Sequence, residues 1–83
     1  MPRFIDRHEQ FPKPDAAGLA AMRAQVEAPT DAFGVKGVNI LFGSDGGAYC
    51  LMDAPNADAV VQAHARNGVP LTRAQVTEIT TLV

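Results

Sequence analysis

From Arg3 to His8 apolar and polar side chains alternate without a helical period, which predicts a first strand. Phe11-Pro12-Lys13-Pro14 interrupts it, because proline offers no ladder donor and turns its predecessor away from the helical region. Asp15 follows as an N-cap. The good helix formers from Ala16 to Ala28 then predict a helix, with Leu19, Met22 and Val26 recurring at helical spacing as one buried stripe and Pro29 ending it. Val35 to Gly43 reads as a second strand. Ser44-Asp45-Gly46-Gly47 is a tight hairpin signal, since glycine accepts the positive φ such turns require, and Ala48 to Asp53 is the antiparallel third strand. Asn56 caps a second helix running to about Asn67, Asp58 favours its positive end, Gly68 supplies the left-handed stop and Pro70 blocks continuation. Gln75 to Val83, rich in Val, Thr and Ile, predicts a fourth strand.

The order β-α-β-β-α-β predicts an α+β, ferredoxin-like domain spanning residues 1–83. Its four-stranded antiparallel sheet runs 4-1-3-2, with both helices on one face. The other face is left bare unless a partner covers it. A chain of 83 residues has little interior and no disulfide to reinforce it, so a homodimer is expected, in the form of a dimeric α+β barrel.

Composition narrows the partners. Seven basic and nine acidic residues leave a net charge of −2, which argues against a general nucleic-acid binder. No apolar run approaches the ~18 residues of a membrane span, and Met1-Pro2-Arg3 does not open a signal peptide. The single cysteine, Cys50, fits a reducing cytoplasm.

Strand alternation sorts the polar residues. Phe4, Asp6 and His8 share one face, opposite Arg3, Ile5 and Arg7. Val38, Ile40 and Phe42 oppose Gly37, Asn39 and Leu41; Tyr49 and Leu51 oppose Ala48, Cys50 and Met52; Ile79 opposes Val76, Glu78, Thr80 and Leu82. Giving the apolar sets to the helices leaves Asp6, His8, Asn39, Cys50 and Glu78 on the helix-free face, in a cavity enclosed by two copies. Imidazole, thiol and carboxylate together suit nickel, copper, zinc or non-haem iron. Each residue also has a plainer reading. Cys50 serves equally as a small buried hydrophobe and His8 as an exposed strand end. Asp6 and Glu78 can pair with Arg3, Arg7 or Arg73. His64, on the second helix, reads either as a core-edge residue favoured at the helix end or as a ligand that reaches past the sheet edge or joins a partner chain.

Phe4-Ile5-Asp6-Arg7-His8 and the run Ala48-Tyr49-Cys50-Leu51-Met52-Asp53-Ala54-Pro55-Asn56-Ala57-Asp58-Ala59-Val60, leading to His64 and Gly68, resemble the small DUF4242 domain over nearly the whole chain. The resemblance implies a metal-binding or stress-related role, in a family that includes a nickel-binding protein with a dimeric ferredoxin-like fold. His8, Cys50 and His64 fall on matching motif positions, and Asp6 where the opening motif carries an acidic or polar residue. The expected ligand candidates are therefore His8, Asp6, Cys50, His64 and Glu78, for nickel or another divalent transition metal. Two alternatives remain open. One is a small enzyme of the dimeric α+β barrel type, isomerase or monooxygenase, with His8 as general base tuned by Asp6. The other is an interaction module without a ligand.

Overall fold

The computed structural model describes residues 1–80. The elements are β1 (Arg3–His8), α1 (Ala16–Glu27), β2 (Lys36–Phe42), β3 (Ala48–Asp53), α2 (Ala57–Arg66), a short 3-10 turn (Arg73–Gln75) and β4 (Val76–Ile79). All strand pairs are antiparallel, in the order β2-β3-β1-β4. This is the expected α+β, ferredoxin-like arrangement. The fourth strand is shorter than expected: Gln75 belongs to the 3-10 turn, and residues 81–83 lie outside the described part of the chain.

Local signals set the element ends. The Asp15 carboxylate accepts from the Gly18 amide at 2.9 Å, and the Asn56 side-chain oxygen accepts from the Ala59 amide at 2.8 Å. At the far end of α2, Gly68 has φ 77°. The Val69 amide donates to the His64 carbonyl and the Gly68 amide to that of Ala65, closing a Schellman motif. In the β2–β3 turn, Gly46 has φ 85° and the Asp45 carboxylate accepts from the Gly47 amide at 2.9 Å.

The core lies between α2 and one sheet face. Phe4, Met52 and Val76 from the strands meet Ala57, Ala59 and Val60 of α2, with Ala54 and Leu71. The small side chains of α2 let it settle close to the sheet. By contrast, α1 buries none of its residues and packs chiefly on β2. Lys36 anchors it by donating from Nζ to the Val26 carbonyl at 2.7 Å, satisfying one of the orphan acceptors of the last turn.

Two face assignments differ from the alternation argument. Between Gly37 and Asn39 the β2–β3 register shifts, so Gly37 opposes Met52 while Ile40 opposes Cys50. Gly37 thereby joins Ile40 and Phe42 on the helix side, where a Cβ would come within 2.9 Å of Val26 Cα. More consequentially, Phe4, Asp6 and His8, with Ala48, Cys50 and Met52, face the helices and not the bare side. The opposite set, Arg3, Ile5 and Arg7 with Tyr49 and Leu51, carries the two guanidiniums. Arg3 pairs there with Asp53, and Arg7 with Glu9 and Asp45. Covering that set with a helix would desolvate both arginines, which costs more than burying one carboxylate beside two imidazoles.

Candidate metal centre

Asp6, at the middle of the central strand β1, is 1% exposed. Its cross-strand partner on β3 is Cys50, and His8 is the next residue of β1 on the same face. From α2, His64 completes the group. One potential ligand atom from each of Asp6, His8, Cys50 and His64 lies within 4.8 Å of the others. His64 is no edge residue: α2 lies on the same side of the sheet as Asp6, so its ring reaches the cluster from within the chain. Glu78 is not brought to the cluster. It lies opposite Phe4 at the exposed outer strand β4. Asn39 is exposed as well.

The imidazoles approach the carboxylate from two sides. His8 Nε2 is 3.0 Å from Asp6 Oδ1, and His64 Nε2 is 2.9 Å from Asp6 Oδ2. The Cys50 backbone amide also donates to Oδ1, at 3.2 Å. The His64 ring is oriented by its other nitrogen: Nδ1 lies 2.8 Å from the Val60 carbonyl oxygen. A carbonyl only accepts, so Nδ1 bears the proton, and in the neutral ring Nε2 turns its lone pair towards Asp6. Ligating histidines are commonly oriented this way by a backbone carbonyl. His8 is braced by ring contacts, 5.4 Å from the His64 centroid and 5.9 Å from that of Phe11.

Two electron-rich atoms 2.9 Å apart repel unless something positive lies between them. Among the described residues, Asp6 Oδ2 is fully buried and has no hydrogen-bond partner, although His64 Nε2 stands 2.9 Å away. The basic groups within 4.0 Å of Asp6 among those residues are the two imidazoles. In the metal-free protein a proton taken up by His64 would fill the role. Burial works against that proton, but the contact with the Asp6 carboxyl, the Val60 carbonyl and the Asp6 charge together outweigh it and raise the His64 pKa. For Cys50, burial foremost and then the Asp6 charge and hydrogen bond push the thiol up to about 12, so it is held protonated.

The donor set also fits a metal ion. Donors about 2.1 Å from one ion and about 90° apart stand about 3.0 Å from each other, close to the separations around Asp6. Two imidazoles, a carboxylate and a sulfur suit late first-row divalent metals. Strand alternation identified three of these residues as neighbours. What it missed was the fourth being within reach, and the cavity of about 350 Å³ that opens over them between the helices and the sheet. The one available signal for the correct face was the Arg3–Arg7 pair flanking Ile5.

Comparison with known proteins agrees with the fold. The crystal structure of SCO4226 from Streptomyces coelicolor A3(2) superimposes with a TM-score of 0.78 at 22% identity, covering 98% of this chain and 99% of that one. No curated protein sequence matches the chain. A family model does match, described as nickel responsive protein SCO4226-like, over residues 4–79. Since that match takes in nearly all of β1 through β4 and every residue of the donor cluster, the chain belongs to the nickel-responsive SCO4226-like family.

Proposed function

We propose that this protein is a small cytoplasmic homodimer of DUF4242 type that binds nickel, or a similar divalent transition metal, through Asp6, His8, Cys50 and His64. The observation that carries the reading is the buried Asp6 oxygen without a hydrogen bond, facing the oriented His64 ring. His64 and His8 would offer Nε2, Asp6 its carboxylate and Cys50 its sulfur. A bound ion supplies the positive charge the pocket otherwise draws from a proton, and it would deprotonate a coordinating thiol despite the burial. Glu78, exposed on β4, is left outside this ligand set.

The homodimer reading is supported by the bare sheet face. Ile5, Leu51 and Ile79 are only half-covered there and Leu41 is 45% exposed, an apolar surface that a second copy would cover while Arg3 and Arg7 keep their own carboxylate partners. A cytoplasmic location is supported by the unpaired Cys50, which must stay reduced to ligate. Among the described residues no helix is long and apolar enough to cross a membrane. The cavity over the cluster favours a second reading, a small α+β barrel enzyme in which His8, 3.0 Å from Asp6, acts as general base.

Calorimetric titration of nickel into tag-free, metal-free protein tests the first reading. Wild type is expected to bind one ion per chain, and Asp6→Asn to weaken binding about 100-fold. Dissociation constants in the millimolar range for wild type, or unchanged binding in Asp6→Asn, would overturn it.

A further inference from the structure

We propose that the cavity over the donor cluster is a binding site for a small, largely apolar organic molecule carrying a single oxygen-bearing head group; this rests on the metal centre proposed above. The cavity has a volume of about 350 Å³, within the range of roughly 300–1,000 Å³ found for small-molecule sites. Its walls are mostly apolar and come from four parts of the chain: Phe11 from the loop after β1, Met22 and Val26 from α1, Ile40 from β2 and Ala63 from α2. His8, Cys50 and His64 also line it and gather its donor groups at one place, while Gln25, Asp31, Asn39 and Asn67 contribute the rest of its polar lining. Asp6 lies beneath them, out of reach of a guest.

The cavity is not a packing accident of one residue. It reflects how lightly α1 covers the sheet: the helix approaches β2 at Val26, but Leu19, Met22 and Val26 stay half-covered and no residue of that helix is buried. The half-covered side chains of α1 that border the cavity gain from an apolar guest. The donor end sets the orientation. An apolar ring or chain fits against Met22 and Val26, and one oxygen turned to the donor end offers a partner to the polar groups that the guest would otherwise desolvate there.

The test uses zinc-loaded protein, diamagnetic and therefore suited to amide and methyl NMR, with benzoate, benzyl alcohol and toluene as probes of one shape. Zinc affinity is measured first on the same sample. Benzoate or benzyl alcohol is expected to bind at least tenfold more tightly than toluene. Its ring protons should show contacts to the methyls of Met22 and Val26. A zinc-binding Met22→Trp variant, with the cavity filled, should lose the probe. If that variant does not fold, the wild-type ring-to-methyl contacts decide alone. Zinc binding with no preference for the oxygen probes, or with contacts elsewhere on the surface, overturns the inference and leaves the metal reading intact. Failure to bind either zinc or nickel overturns both.

Discussion

The two helices lie on the same face of one sheet and do opposite things. Four residues of α2, Ala57, Ala59, Val60 and Ala63, are buried. Three alanines and a valine hold its backbone near the strands, so a side chain as long as His64 arrives at Asp6 without bending the helix. None of the twelve residues of α1 is buried, and its Met22 and Val26 border a cavity in place of filling it. Close packing needs small residues at the contact, as α2 shows, whereas α1, which approaches the edge strand β2 at Val26, carries larger side chains that stay half-covered. The rigid helix carries a ligand and the loose one borders the vacant volume, a division common where a site needs both precise donors and access.

The sharpest way to break this contrast is to remove a side chain from each helix. His64→Ala on α2 is expected to lower nickel affinity about 100-fold by calorimetry. Met22→Ala on α1 should leave it within threefold, and equal losses would mean that α1 holds the site as firmly as α2.

Stability should divide the same way. Val60 is fully buried, and Val60→Ala is expected to cost about 2 kcal/mol in urea unfolding. Leu19→Ala, from a half-covered position, should cost about 0.5–1 kcal/mol.

Titration adds a third comparison. In metal-free protein the folded His64 pKa is raised above its ordinary value of 6.5. Its contribution to stability is therefore complete below about pH 6.5 and is lost as pH rises through the folded value. The Cys50 contribution has the same sign at higher pH. It is complete below pH 9.0 and is lost between there and about 12, as the unfolded thiol ionises first. Unfolding curves of wild type with chelator should slope downward across these windows. His64→Gln should remove the lower slope and Cys50→Ser the upper one, so that each difference from wild type isolates one group.

The smallest effect should come from the anchor of α1. Lys36→Met deletes the bond to the Val26 carbonyl and is expected to cost about 1 kcal/mol. Hydrogen exchange should rise along α1 and stay unchanged along α2. An equal rise in both would show the helices to be one cooperative unit.

Much of the fold could be read along the chain. Asp15, Asn56 and Gly68 cap where expected, Gly46 turns the hairpin, and the six main elements occur in the expected order. These signals act within a few residues, where proline, glycine and short polar side chains decide the backbone. The contrast between the helices was not legible, since the stripe of Leu19, Met22 and Val26 reads as a core stripe as readily as Val60 and Ala63 do. Nor was the shift at Gly37, which depends on the approach of Val26 from α1.

The candidate site was half legible for a related reason. Alternation grouped Asp6 with His8, and the hairpin placed Cys50 beside them, because strand parity and short turns are local properties. They determine which residues share a face but not what covers that face. That choice fell to the tertiary structure. Arg3 and Arg7 could keep their water only on the bare side, and the alanines of α2 made room for the helix on the other. A buried carboxylate and a distant histidine met because desolvating two guanidiniums was the costlier alternative.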